Sequence, residues 1–176
     1  MKGLILSITA GQGHNQTAKV LSEGFNSNGI DCSYMDVFEY INPLLSDSVS
    51  QIYLMSTKNI PKIYGKFYRM CENRPNDEMH GLPKVTTRIL AKKLLKKIES
   101  ERPDFIICTH VFAALLVSCL DGYINHKAKT FGIVTDFTIH PYWEDTSLDY
   151  YVTPNKLLNG QARRKGIGAD KILPIG

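Results

Sequence analysis

The chain has 176 residues, with 21 lysines and arginines against 17 acidic residues and a formal charge of +4. That length suits one domain with a sizeable core, and so mild a basic surplus does not point to nucleic acid as a partner. Cys32, Cys71, Cys108 and Cys119 are widely spaced with no CxxC pair, and the longest apolar stretch, Phe105 to Leu120, is interrupted and shorter than the ~20 residues of a membrane span.

Leu4, Ile5, Leu6 and Ile8 form an apolar run with no charge after Lys2, the pattern of a central parallel strand covered on both faces. The chain enters this strand directly, so no signal peptide is expected, and reduced thiols in a cytoplasm fit the cysteine pattern. The strand stops in Gly11-Gln12-Gly13, where two residues without a Cβ permit close approach of a ligand to the backbone. His14, Asn15 and Thr17 then open a helix, whose unpaired N–H groups and positive dipole end face the same place as the imidazole. A phosphate or a reacting hydroxyl suits that combination. Ala18, Val20, Leu21 and Phe25 carry the helical stripe to about Asn26, and the run NSNG ends it. Cys32, Tyr34 and Val37 mark a second strand near 31–36, which makes the opening a βαβ unit with a right-handed crossover.

Between Pro43 and Met79 the pattern loosens into one or two helices broken near Pro61. Tyr53, Leu54, Tyr64, Phe67, Tyr68 and Met70 lie there beside Lys58, Lys62, Lys66 and Arg69. These aromatics suit a cover for one face of the sheet, and they also suit an acceptor-lipid or membrane-interface surface. After Pro83 comes the clearest amphipathic helix. Val85, Ile89, Leu94, Leu95 and Ile98 supply its apolar side, and Lys84, Arg88, Lys92, Lys93, Lys96 and Lys97 its basic side. That basic side is a solvated outer face, a surface drawn to anionic lipid at about 1 kcal/mol per cation, or both.

A second strand-turn-helix follows: Phe105 to Cys108 as a buried strand, Thr109-His110 at its C-terminal end, then a helix to about Leu120. Lys129 to Thr135 reads as another buried strand, with Asp136 and then FTIHPYW at its end. Leu148 to Thr153 is one more strand, Asn155 to Lys165 a helix ended by Gly166 and Gly168, and Lys171 to Ile175 a last short strand. The expected fold is α/β, a Rossmann-like, mostly parallel sheet with helices on both faces.

Open parallel sheets bind ligands beyond the carboxyl ends of their strands. His14, His110 and Asp136, with His140 behind it, fall on that edge. A histidine there is able to take a proton from an alcohol, and a nearby carboxylate would orient it, so His14 with Asp136 is the expected pair. Asp136 also suits a turn cap, and His110 a helix cap. A dinucleotide fingerprint would need glycine or alanine where Gln16 stands, although Asp36 imitates the acid that holds a ribose, so a dinucleotide-binding oxidoreductase is a weaker rival. No GK[ST] follows the turn and no GxSxG elbow occurs. His80, His110, His126 and His140 are too scattered, so no metal site is expected.

The chain resembles the N-terminal domain of the monogalactosyldiacylglycerol synthases and bacterial processive diacylglycerol glucosyltransferases. The resemblance rests on Gly11-Gln12-Gly13-His14 with Asn15-Gln16-Thr17-Ala18, on PDFIICTHVF at 103–112, on VTDFTIHPYW at 134–143, and on LDYYVTPN at 148–155. The family's first motif is GGGH followed by small and basic residues, so Gln12 and Asn15 depart from it. The resemblance implies the acceptor-side half of a GT-B glycosyltransferase, residues 1–176 forming one domain and a nucleotide-sugar domain lying outside this chain, which alone would then be inactive. It implies an inverting hexosyltransferase moving a sugar from a UDP-sugar co-substrate, with no resident cofactor, to diacylglycerol or a similar lipid. A peripheral lipid-binding module without chemistry is the rival from another class. Carried over, His14 is the base and Asp136 the acid near it. Gly11 and Gly13, with Asn15 beside them, bring backbone N–H groups toward the donor diphosphate or the acceptor, and His110, His140 and Trp143 lie on the acceptor side. Arg88, Lys92, Lys93, Lys96 and Lys97 would meet an anionic membrane surface, at the inner face of the cell membrane.

Overall fold

A computed structural model describes residues 1–9, 12–41, 84–124 and 127–175, and of residues 84–89 only the backbone. The expected helices around Pro61, with their aromatics and cations, lie outside the described residues, as do Gly11, His80 and His126.

Among the described residues six parallel strands make one sheet. They are β1 (Lys2–Ser7), β2 (Asp31–Asp36), β3 (Phe105–Cys108), β4 (Lys129–Ile133), β5 (Tyr150–Thr153) and β6 (Ile172–Pro174), in the order β2-β1-β3-β4-β5-β6. The helices are α1 (Gln12–Ser27), α2 (Val37–Ile41), α3 (Lys84–Glu101), α4 (Val111–Ser118) and α5 (Asn159–Arg164). β1 lies between β2 and β3, pairing Leu4 with Ser33 on one side and with Ile106 on the other. This central place explains its uniform burial.

Each face of the sheet has its own apolar layer. Ile5, Cys32, Phe105 and Ile107 meet Ala18, Leu21 and Phe25 of α1. Leu4, Leu6, Ile106 and Cys108 meet Phe38 of α2, Leu94 and Ile98 of α3, and Leu116 of α4. Burial pushes the Cys108 thiol up, far beyond the range where a thiolate forms, so it packs as a small apolar group. Asn26 fastens the end of α1 to β2, donating to the Cys32 carbonyl at 2.7 Å and accepting from the Cys32 N–H at 3.1 Å.

Three elements were not expected, one of them a 3-10 turn at Ala169–Lys171 just before β6. α2 begins directly after β2 because Asp36 Oδ1 accepts from the Glu39 N–H at 2.9 Å, closing the first turn with the spacing of a capping box. A 3-10 turn at Pro141–Asp145 is capped by His140 and carries Trp143 onto β4. Gly132 makes that possible, since a Cβ there would fall 2.6 Å from Trp143 Cζ3. The helix expected at 155–165 is split into a 3-10 turn, Lys156–Leu158, and α5, and Gly166 at φ 78° ends it.

Candidate functional site

The strand order changes direction between β1 and β3, since the chain leaves β1 toward β2 and leaves β3 toward β4. The connections therefore diverge, and open sheets of this order bind ligands in a crevice beyond the carboxyl ends of such strands. Three segments converge there: the first turn of α1 with His14, Thr109-His110 after β3, and Thr135 after β4.

His14 is half-buried, and its Nδ1 lies 2.9 Å from the Thr109 carbonyl oxygen and 2.7 Å from Thr135 Oγ1. A carbonyl only accepts, so Nδ1 must carry the hydrogen and donate it, with the Thr135 hydroxyl sharing the same N–H as a second acceptor. The ring is thereby held in one tautomer, with its lone pair on Nε2. His14 in this form is a base at Nε2.

His110 is turned the other way. As N-cap of α4, its Nδ1 accepts the Phe112 N–H at 3.1 Å, which leaves the hydrogen on Nε2. Burial first, then the neighbouring charges of His14 and His140, hold its pKa well below the usual histidine value. The two rings meet edge to face with centroids 4.4 Å apart and planes at 77°. His140 likewise accepts from the Tyr142 N–H at 3.2 Å, and burial, then Lys165, lower its pKa to about 4.

Asn15 and Asp36 brace the turn from below. Ser7 Oγ donates to Asn15 Oδ1 at 2.5 Å, and Asn15 Nδ2 donates to Thr9 Oγ1 at 2.6 Å. The Thr9 N–H and hydroxyl both donate to Asp36 Oδ2, at 2.5 and 2.6 Å. Asp36 Oδ1 caps α2, so both carboxylate oxygens already accept from the protein. Asn15 is thus a brace of the turn as well as a neighbour of the site. Gly13 faces open space: a Cβ there would meet nothing within 4 Å, so packing of the chain on itself does not demand glycine.

Two expectations need correction. Asp136 is exposed and, among the described residues, makes no hydrogen bond or ion pair with His14; the preceding residue, Thr135, reaches the ring instead. Thr135 follows the end of β4 and Asp136 opens a bend, and of the two only Thr135 is turned to the ring. Trp143 is 2% exposed, packed over Gly132 and edge-on to Tyr151 at 5.9 Å, in the core rather than on an acceptor-facing wall. The hydroxyls of Thr135 and Thr9 carry no charge and stand in strand-end segments, and the VTD tripeptide was the available signal for the first of them.

The basic side of α3 is partly occupied. Lys93 Nζ donates to the Ile41 carbonyl at 3.0 Å, closing α2, and Lys97 pairs with Glu101 at 2.7 Å, which also holds Lys2 at 2.7 Å. Lys92 and Lys96 are exposed, and the Arg88 side chain lies outside the described residues. A cavity of about 430 Å³ opens at the other end of the sheet, beside Lys129 and Asp149, which pair with one another at 2.9 Å. Among the described residues no helix is long and apolar enough to cross a membrane.

Comparison with known proteins adds a family to this geometry. A family model described as monogalactosyldiacylglycerol (MGDG) synthase matches residues 14–176. Processive diacylglycerol beta-glucosyltransferases of Bacillus cytotoxicus and Bacillus mycoides are each 27% identical to the chain over 99% of its length and 44% of theirs. The chain thus spans less than half the length of these curated relatives. Among solved structures, the apo form of the lipopolysaccharide outer core galactosyltransferase WaaB superposes with a TM-score of 0.56 at 16% identity. It covers 98% of this chain and 44% of that one, a likeness of fold.

Proposed function

This chain belongs to the monogalactosyldiacylglycerol synthase family, and on that premise we propose that it is the acceptor-binding half of an inverting glycosyltransferase. The enzyme moves a hexose from a UDP-sugar to the free hydroxyl of diacylglycerol, at an anionic membrane surface that the exposed Lys92 and Lys96 approach. The observation that carries this reading is the state of His14. Its Nδ1–H is committed to the Thr109 carbonyl, so its Nε2 is left as a proton acceptor at the carboxyl edge of the sheet.

In the step itself, Nε2 takes the proton of the acceptor hydroxyl while the oxygen forms its bond to the anomeric carbon. The nucleoside diphosphate leaves from the opposite face with the electrons of the broken C–O bond. Thr109 and Thr135 keep the ring oriented, and the open space beside Gly13 lets a diphosphate or a glycerol approach the backbone. A backbone carbonyl, unlike a carboxylate, orients the ring without adding a full negative charge.

The test is turnover of 1,2-dioctanoylglycerol with UDP-glucose or UDP-galactose by the enzyme that carries this half. His14→Ala is expected to lower kcat by about 10²–10⁴-fold, the usual contribution of a general base, with vesicle binding retained. A variant that keeps kcat within a few-fold of wild type removes the reading.

A further inference from the structure

The two histidines at the crevice carry their protons on opposite nitrogens. His14 spends its Nδ1–H on the Thr109 carbonyl and keeps a lone pair at Nε2, whereas His110 spends its Nδ1 lone pair on the Phe112 N–H and keeps a hydrogen at Nε2. Among the described residues neither Nε2 has a hydrogen-bond partner. Among the described residues the buried side-chain polar atoms without a partner are Thr109 Oγ1 and Asn159 Oδ1, so neither Nε2 is sealed in the interior. His110 is only 8% exposed, and the surface it keeps therefore includes this nitrogen.

We propose that His110 is a second substrate-contacting residue: its Nε2–H donates to the oxygen of the same hydroxyl whose proton His14 Nε2 removes. This deepens the reading of His14 as a base and rests on it. A hydroxyl is the group that satisfies both nitrogens at once, because its O–H donates while its oxygen accepts. An ester carbonyl or an ether offers only the second interaction and leaves His14 Nε2 unmatched. The pair therefore selects a free alcohol over the acylated positions of the same lipid.

His110 also suits the moment of transfer. As the proton moves to His14, the hydroxyl oxygen gains negative charge until its bond to carbon forms, and a preset N–H donor stabilises that charge. The donor stays neutral, because burial and the positive charge arriving on His14 both oppose its protonation. A lysine in its place would repel the protonated base, and a carboxylate would compete for the proton.

The tautomers are read directly from long-range 1H–15N spectra of the imidazole rings in this chain, with hydrogen expected on Nδ1 of His14 and on Nε2 of His110. Titration with glycerol and with 1,2-dioctanoylglycerol is expected to shift both Nε2 signals. His110→Asn keeps a capping side chain for α4 but is too short to place a donor where Nε2 stands, and is expected to weaken that saturation about tenfold. His110→Gln places an amide nitrogen near the position of Nε2 and is expected to retain most of it; it also serves if the first variant fails to fold. Reversed tautomers, an Asn variant that binds as wild type does, or no response to either alcohol overturns the proposal. A response to glycerol without one to dioctanoylglycerol supports the histidine pair and removes the lipid acceptor.

Discussion

His14 differs from a free imidazole in having one nitrogen already committed. The commitment is shared between a carbonyl that no side-chain substitution removes and the Thr135 hydroxyl 2.7 Å away. Thr135→Val keeps the shape and deletes one acceptor, a loss worth about 1 kcal/mol for a neutral hydrogen bond. We expect kcat of the enzyme carrying this half to fall about fivefold in Thr135→Val with KM little changed, and Thr135→Ser to restore most of it. A serine variant as poor as the valine one would mean that Thr135 acts by packing. Asp136 enters differently: Asp136→Asn is expected to leave the His14 tautomer as it was, since the structure joins the two by no bond.

At the scale of elements, the N-terminal ends of α1 and α4 hold the two histidines of the site, while α3 packs one side on the sheet and exposes the other. α4 buries almost its whole length, from Val111 to Val117, so its N-terminus is fixed against β3 and with it the ring of His110. α2 is only five residues long and is clamped at both ends, by Asp36 at its start and by Lys93 at the Ile41 carbonyl. That clamp ties the Lys93 ammonium to α2 although the side chain stays exposed, and Glu101 offsets the charge of Lys97. Lys92 and Lys96 stand one turn apart on the outer side of α3 and are both exposed. Reversing them, Lys92→Glu with Lys96→Glu, should weaken binding to anionic vesicles by tenfold or more in low salt, with the thermal midpoint little changed, since each charge contributes about 1 kcal/mol near such a surface. Binding that ignores the double change would place the membrane contact elsewhere.

For the whole molecule, the buried histidines set an acid limit. His110 lies well below the ordinary histidine pKa, and His140 is lowered to about 4. The unfolded chain takes up these protons near pH 6.5 and the folded chain refuses them. The stability they contribute is thus complete above about pH 6.5 and is lost as pH falls toward 4, His140 alone accounting for on the order of 2 kcal/mol once its partial exposure is allowed for. Glu101, lowered by its bonds to Lys2 and Lys97, and Asp149, where bonds to Lys129 and Thr130 outweigh an opposing burial, lose their contributions from about pH 4.5 downward. Scanning calorimetry from pH 7.5 to 4.5 should therefore show a falling midpoint, and His140→Asn, which retains a cap for the Pro141 turn, should flatten part of the fall. A profile unchanged by that substitution would show that His140 takes up its proton as readily folded as unfolded. The six strands and the edge on which the histidines gather were legible in the chain, because apolar runs such as Leu4 to Ile8, glycines after helices and polar residues after strands are local signals. α2 was missed because its capping spacing overlaps the end of a strand, and Trp143 was misread because its aromatic ring alone does not say which way a turn will roll. The partner of His14 was beyond reach for a different reason. Thr109 and Thr135 lie 95 and 121 residues away from it, and which of two adjacent side chains meets the ring is decided by how β3 and β4 dock beside β1, a matter of packing that no short stretch of sequence encodes.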